Sequence, residues 1–340
     1  PIEPPRDQLF VALCHPLMFT CHASSTRQWL LMLTPRDYDQ NMARPNVGEV
    51  LVTILGTAQD GGFPQLGCQR ECCLSEIAHT HPRYPVALGI RGQDGSHHMI
   101  EASRMMYAQF QIWQQSLGTQ PPIPNSITIT HAHLGHIDGL GLLGKEVMGA
   151  QGVTVHCSES VAQHIEDTPA YAALIEQGSV SLSVWRNSAA FSPTAECGFT
   201  IQPLPVPHRS EFSDCHALLI ESSENRLLFL PDHDSWDETL NNHDIRDFLN
   251  GLKVDVALLD GTFWSEDELQ NRDIKEIPHP TVQESLQRLG VKQTGDPDIR
   301  FFHLNHTNPL CNPQSEQSQI LRDMGWLVAK EGDSFTLESL

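Results

Sequence analysis

Short apolar runs bounded by Gly, Pro, Asn or Asp recur along the chain, a pattern typical of buried strands. The stretch WLVAKEGDSFTLE (326–338) closes the series and predicts a hairpin. The other predicted strands are EVLVTILG (49–56), VALGI (86–90), HHMIEA (97–102), SITIT (126–130), VTVHC (153–157), FTIQPLPVPH (199–208), CHALLIES (215–222), RLLFLPDHD (226–234), VDVALLDGTF (254–263) and IRFFHLNHTNP (299–309).

Between these strands, apolar residues recur every three or four positions, as amphipathic helices require. The predicted helices cover 103–117, 141–150, 158–167 and 281–289. Strands therefore alternate with helices in both halves of the chain, which indicates an α/β layered fold.

Polar side chains stand where several predicted strands end. Because the carboxyl ends of strands in an α/β sheet tend to meet at one edge, we expect these side chains to converge on an active site. The residues are His131, His208, Asp232, Asp260 and His303.

Residues 1–48 lack this periodicity and contain several Pro and Arg residues, so we interpret them as a disordered or processed extension. The run LFVALCHPLMFTCHA (9–23) has some features of a signal peptide, and an exported form stays open if it acts as one. Otherwise we expect a cytoplasmic protein. The range 49–340 is predicted to form a single domain.

The composition argues against two classes of binding partner. Among 340 residues, 42 Asp and Glu stand against 21 Lys and Arg, which gives a net charge of -21. An acidic surface repels phosphate backbones, so nucleic-acid binding is not expected. No apolar run reaches the about 18–20 residues that cross a bilayer, so no membrane partner is expected. A small-molecule substrate is the expectation that remains. The oligomeric state is open, with a homodimer as one alternative.

The segment THAHLGHIDG (130–139) carries three histidines, His131, His133 and His136, directly after a predicted strand. Positions two apart on an extended chain point the same way. A lone histidine is usually a surface or core residue, but three within six positions indicate a metal site.

With this segment, the sequence resembles the metallo-β-lactamase superfamily, whose motif is His-x-His-x-Asp-His after a strand. The likeness covers about residues 49–338. It implies a four-layer αββα fold, in which two mixed β-sheets are sandwiched between helices. It also implies a metal centre. The matching ligand positions here are His131, His133, His136, His208, Asp232 and His303.

The resemblance divides these residues into two ion sites. His131, His133 and His208 would hold the first ion. His136 and His303 would hold the second, with Asp232 bridging. Zinc suits such ligands, and iron and manganese suit them too.

One family ligand is replaced, because Gly135 stands where the family has aspartate. Asp138 follows on the next turn and is not expected to substitute. We therefore expect a second ion that is held weakly, with water or substrate filling the gap. Glu101 stands where the family often has an aspartate that orients a ligand.

A narrower likeness is to the pyrroloquinoline-quinone biosynthesis protein B group and to a related cyclic phosphodiesterase of phosphonate breakdown. It rests on LGTAQDGGFPQLGC, ALLDGTFW and HLNHTNP. These relatives carry a loop with Cys-x-Cys-x-x-Cys spacing, closed by a later histidine. Cys68, Cys73 and His306 match that pattern, and Cys72 is displaced by two residues from the middle position.

Three thiolates and one imidazole make a closed tetrahedral zinc site, which is structural rather than catalytic. The likeness therefore implies one structural zinc on Cys68, Cys72, Cys73 and His306, besides one or two catalytic ions. The alternative is that these cysteines are free buried thiols.

The predicted function is a metal-dependent hydrolase of a small phosphodiester or ester-type substrate. Asp232 would be catalytic through the ions, and His279, in IPHPTVQESL, resembles the residue that protonates the leaving group in phosphodiesterase members. Asp260 would orient a ligand or a loop. Two alternatives stay open: an iron-dependent oxidative enzyme of quinone-cofactor synthesis, and a non-catalytic metal carrier.

Overall fold

A computed structural model describes residues 48–241, 243–268 and 277–337, so the predicted extension at 1–48 falls almost wholly outside the described residues. The strands in these ranges are β1 (Leu51–Gly56), β2 (Ala87–Arg91), β3 (His97–Ile100), β4 (Ser126–Thr128), β5 (Val153–Cys157), β6 (Val180–Val184), β7 (Thr200–Val206), β8 (Cys215–Glu221), β9 (Arg226–Leu230), β10 (Val256–Asp260), β11 (Asp298–Phe302), β12 (Leu327–Val328) and β13 (Ser334–Thr336).

Several helices begin at a residue whose side chain caps the first turn. Ser158 accepts a hydrogen bond from the backbone of Val161 at the start of α5, and Thr281 accepts one from Glu284 at the start of α9. The α-helices are α1 (Glu71–Leu74), α2 (Glu76–Thr80), α3 (Met106–Leu117), α4 (Leu134–Ile137), α5 (Glu159–Asp167), α6 (Pro169–Glu176), α7 (Trp236–Leu240), α8 (Ile245–Leu252), α9 (Val282–Leu289) and α10 (Glu316–Asp323).

The strands form two mixed sheets. The first has the order β13-β1-β2-β3-β4-β5-β6, and the second has the order β12-β11-β10-β9-β8-β7. Neighbours from β3 to β6 are parallel, as are those from β9 to β12, and the remaining pairs are antiparallel. Each sheet therefore has a block of parallel strands whose carboxyl ends can present loops at one edge.

The sheets face each other across an apolar layer. Val52 and Ile54 from β1 meet Phe229 of β9 and Leu258 of β10 in this layer. Further buried clusters lie on the two outer faces. One packs the first sheet against α3, α5 and α6, and the other packs the second sheet against α7 to α10. The result is the predicted αββα layering, and the prediction of the fold class is confirmed.

Two predicted elements are wrong. The helix at 141–150 is absent; a 3₁₀ helix over Asp138–Leu143 leads into turns instead. Gly141, Gly144 and Gly149 explain the difference, because glycine destabilises a helix interior and Gly149 has a φ of +58°.

The closing hairpin at 326–338 is also wrong. The strand β12 pairs with β11 in the second sheet, whereas β13 pairs with β1 in the first. The chain crosses between the sheets from Ala329, which is buried in the apolar layer between them. The positions of these two strands are therefore set by pairing with different sheets and not by pairing with each other.

Helix length bears on the expectation that the protein has no membrane partner. In the described ranges, none of the helices combines the length and apolar character that crossing a bilayer requires.

Candidate metal centre

Six polar side chains from four separate segments meet at the edge where the parallel strands end. The strands are shorter than the sequence pattern predicts, so the side chains stand just beyond them. His131 and His133 follow β4, His136 lies in α4, His208 follows β7, Asp232 follows β9 and His303 follows β11.

The first predicted set, His131, His133 and His208, is brought together. Their ring nitrogens lie within 4.8 Å of one another, and Nε2 of His131 is 3.0 Å from Nδ1 of His133. Burial lowers the pKa of all three, and the charges of neighbouring histidines lower it further. Neutral imidazoles result, and this is the form that binds a metal.

The second predicted set lies beside the first. Oδ2 of Asp232 is 3.3 Å from Nε2 of His136 and 3.4 Å from Nε2 of His303, while Oδ1 is 3.6 Å from Nε2 of His208. Asp232 thus faces both sets. Burial raises the pKa of its carboxyl to about 7, although the charges of His136 and His279 oppose the rise.

Several atoms in this cluster fit a cation. In the described part of the chain, Nε2 of His208, Nε2 of His303 and Oδ2 of Asp232 are buried without a hydrogen-bond partner. Such atoms are costly to bury unless something coordinates them. They all point to the space between the two sets, so the residues present fit a metal there.

A carboxylate that the sequence pattern did not identify also enters the cluster. Asp60, in the loop after β1, places Oδ1 at 3.5 Å from Nε2 of His136. Burial alone would raise the pKa of Asp60, but the hydrogen bond and charge of His136 lower it well below its usual value. The only hint in the sequence is a carboxylate in a glycine-rich loop after a buried strand.

Asp60 changes the interpretation of Gly135. Asp60 occupies the space where a side chain at 135 would lie, and the expectation of a weakly held second ion stays a prediction. Asp138 does not replace the missing ligand; its Oδ2 pairs with the guanidinium of Arg104 at 2.5 Å.

Glu101 lies beneath the histidines, fully buried. Oε1 accepts a hydrogen bond from Oγ1 of Thr130 at 2.5 Å and lies 3.3 Å from Nδ1 of His136. Thr130 in turn contacts Nδ1 of His131 at 2.9 Å. One carboxylate therefore orients a histidine of each set, as partners of metal ligands commonly do. Its φ of +66° is strained for glutamate, which is typical of a functional site.

Asp260 and His279 form a buried pair on the opposite wall. Nδ1 of His279 is 2.7 Å from Oδ2 of Asp260, and its Nε2 is 4.0 Å from Oδ1 of Asp232. Burial by itself would lower the pKa of His279, but the charge and hydrogen bond of Asp260 raise it. Through Thr262, Asp260 also reaches Nδ1 of His303: Oγ1 of Thr262 donates to Oδ1 of Asp260 at 2.7 Å and lies 2.8 Å from that ring nitrogen.

The predicted cysteine site is also brought together. Sγ of Cys68, Cys72 and Cys73 and a ring nitrogen of His306 lie within 4.8 Å of one another. Sγ of Cys72 is 3.9 Å from each of the other two, and Nδ1 of His306 is 3.5 Å from Cys72 and 3.3 Å from Cys73.

These separations fit zinc. Bonds of about 2.3 Å to sulfur and 2.0–2.1 Å to nitrogen in a tetrahedron place two sulfurs about 3.8 Å apart and a sulfur and a nitrogen about 3.6 Å apart. The short helix α1 turns Cys72 towards the cluster, so its displacement along the sequence does not remove it from the site.

The chain is similar to several known proteins. A family model described as a β-lactamase superfamily domain matches residues 99–303. Coenzyme PQQ synthesis protein B of Xanthomonas oryzae pv. oryzae is 24% identical over 317 residues, which cover 83% of this chain and 98% of that protein. The protein of that name from Methylococcus capsulatus is also 24% identical, over 83% of this chain and 98% of its own length.

Two solved structures share the fold. Zn²⁺-bound PqqB from Methylobacterium extorquens matches with a TM-score of 0.68 and 19% identity, over 84% of this chain and 100% of that one. A diphosphatase from the PhnP family matches with a TM-score of 0.57 and 18% identity, over 84% and 96% of the two chains. The resemblance seen in the sequence is confirmed.

Proposed function

Because this chain belongs to the metallo-β-lactamase superfamily and is similar to PQQ synthesis protein B, we propose that it is a metal-dependent hydrolase acting on a small phosphodiester or ester-type substrate. One observation carries the proposal: two largely buried histidine sets converge on Asp232, and Nε2 of His208 and of His303 have no hydrogen-bond partner among the described residues. One or two catalytic ions would bind there, and a structural zinc would bind Cys68, Cys72, Cys73 and His306.

In the proposed reaction, the ion would supply the nucleophile, and side chains of the protein would hold and orient it. When bound, a divalent ion lowers the pKa of water towards about 7 and so supplies hydroxide at neutral pH. His131, His133 and His208 would hold the first ion, and Asp232 would face both ion positions. Glu101 keeps His131 and His136 in place through the contacts described above. These residues fix the position of the attacking group relative to the bond that breaks.

His279 is placed to serve the leaving group. Its Nδ1–H donates to the carboxylate of Asp260, so in the doubly protonated ring the second proton sits on Nε2, which faces Asp232 and the metal centre. Asp260 favours the protonated ring, as a general acid requires. His279 would donate this proton to the departing oxygen.

A cavity beside the centre supports a small-molecule substrate. It has a volume of about 1150 Å³, and Asp60 and Phe263 lie on its wall. Arg70 lies on the same wall, and a cationic side chain there favours a substrate with a negative charge, such as a phosphodiester.

The test is a substrate screen coupled to metal analysis. Protein purified without oxygen and then loaded with Zn²⁺ or Mn²⁺ is expected to hydrolyse one class among phosphodiesters, thioesters and lactones, with a rate independent of oxygen. Absence of turnover on the whole panel by metal-replete protein would contradict the proposal. So would a product that forms only with iron and oxygen.

Similarity to PQQ synthesis protein B over 83% of this chain favours a second candidate, an iron-dependent oxidative enzyme of quinone-cofactor synthesis. The same screen separates the two, because oxidation consumes oxygen and hydrolysis does not. A metal carrier would give neither result, and its metal content would not respond to substrate.

His279 gives a prediction specific to proton donation. The H279Q variant is expected to lose about 10²–10⁴-fold in kcat on a substrate with a poor leaving group, the usual effect of removing a general acid. On a p-nitrophenyl ester of the same acid the loss should be much smaller, because p-nitrophenolate departs without a proton. Metal content should not change.

The matched control is H156Q. His156 is also a buried histidine, but it lies on β5, where its ring stacks on Phe191. It should retain parental kcat on both substrates. Equal losses for H279Q on the two leaving groups would assign His279 a structural role instead.

A further inference from the structure

We propose that Asp60 is the anionic ligand of the second ion and that it takes the place of the carboxylate missing at position 135. The second ion would then be held by Asp60, His136 and His303, with Asp232 shared. This inference rests on the metal centre proposed above, but it concerns binding of the second ion and not the reaction.

The first argument is spatial. A Cβ atom built on Gly135 would lie 2.2 Å from Oδ1 of Asp60, 2.4 Å from its Cγ and 2.7 Å from its Cα. Cβ atoms essentially never approach other atoms so closely, so any side chain at 135 would displace Asp60. The carboxylate thus enters the space of the absent side chain from another loop.

The second argument is the set of ligand atoms. A carboxylate oxygen of Asp60 and ring nitrogens of His136 and His303 all lie within 4.8 Å of one another. His303 is 1% exposed, and within the described ranges its Nε2 has no hydrogen-bond partner. This nitrogen lies 3.4 Å from Oδ2 of Asp232. A buried nitrogen without a partner, directed at two carboxylates, indicates a cation between them.

The third argument is charge. Replacing a carboxylate by glycine in the histidine motif removes one negative charge from the ligands of the second ion. Asp60 restores that charge at the same place, so a divalent ion meets two carboxylates, Asp60 and Asp232. Oxygen ligands with formal charge strengthen the binding of divalent ions.

The loop that carries Asp60 is anchored next to other ligands. The backbone N–H of Gln59 donates to the carbonyl of Leu304 at 3.0 Å, so Asp60 is tied to the residue after His303. Further along, Cys68 and His306 meet in the cysteine cluster. Asp60 is therefore held against the strand end that supplies its partner ligand and does not hang from a free loop.

The inference predicts reciprocal effects of substitutions at 60 and 135. D60N keeps the shape of the side chain but removes its charge, so the second ion should bind at least about 100-fold more weakly, beyond the loss typical for a residue that only orients a ligand. G135D alone should also weaken it, because the new side chain collides with Asp60. The double variant D60G/G135D removes the collision and returns the carboxylate to the histidine motif, so affinity should recover to within about 10-fold of the parent, a difference of 1.4 kcal/mol.

The measurement is titration of metal-free protein with Co²⁺, followed by calorimetry and by the visible spectrum of the bound ion, with no substrate present. D138N is the matched control, since Asp138 is the acidic residue nearest to Gly135 in sequence but pairs with Arg104. It should bind the second ion as the parent does.

Two results would overturn the inference: parental affinity for the second ion in D60N, or a double variant that binds it no better than D60G. Circular dichroism and thermal unfolding show whether each variant is folded, and D60N, which adds no bulk, keeps the test decisive if G135D unfolds. Because the readout is ion binding, it stands even if the substrate screen finds no hydrolysis. Two ions bound without turnover would contradict the proposed function and leave this inference intact.

Discussion

The H133A variant is expected to lose at least about 100-fold in kcat/KM while it stays folded, since removing a metal ligand should exceed the 10–100-fold losses seen for residues that only orient one. His133 belongs to the three-histidine set, with Nδ1 3.0 Å from Nε2 of His131. Its side chain is 12% exposed, so truncation opens no sealed cavity in the core. The catalytic ion bound to the first set should be lost or weakened together with activity.

Steady-state kinetics, elemental analysis and thermal unfolding check this result together. H97A is a suitable control, because His97 is also a partly exposed histidine but stands at the opposite end of β3 from Glu101. H97A should retain its metal and its rate. An H133A protein with full activity and unchanged metal content would remove the hydrolase assignment.

The double variant C68A/C73A is expected to lose one zinc per chain and to become less stable. At zinc concentrations 1,000-fold above Kd, a bound ion contributes about 4 kcal/mol to the free energy of unfolding, and this contribution disappears with the site. The region most affected should be the loop from Gln59 to Cys68, which the cysteine cluster ties to His306. Burial raises the pKa of the Cys73 thiol to about 12, so this sulfur needs a cation to become a thiolate.

Elemental analysis and denaturant unfolding measure the two effects. The control C157A also removes a buried thiol, but Cys157 lies in β5 away from the cluster. It should keep its zinc and lose only the about 1–2 kcal/mol of a small core truncation. Unchanged zinc content in C68A/C73A would show that these cysteines are free thiols.

The two failures among predicted elements have a common cause. The segment at 141–150 has the apolar spacing of a helix, but its glycines favour turns that place Leu143 and Ala150 in the core. The segment at 326–338 has the alternation of a hairpin, but its two strands pair with strands of different sheets. Local pattern shows that a residue is buried and does not show which partner buries it.

The sequence by itself determined the layered fold and most of the candidate metal centre. The histidines at 131, 133 and 136 form a local motif, and periodicity places His208, Asp232 and His303 at strand ends. The family resemblance then implies that these six residues are metal ligands. The cysteine cluster was found in the same way, as a dense group of soft ligands.

Only the tertiary structure decided what Gly135 means. The sequence predicts that the glycine removes one metal ligand. In the fold, the loop after β1 passes so close to α4 that the missing side chain leaves room for Asp60. Which carboxylate fills this space depends on how two segments far apart in sequence pack together. The sequence pattern of either segment does not show the distance between them in the fold. Chain order could show that the family's aspartate was absent at 135, but only packing could show that the carboxylate of Asp60 lies in that space.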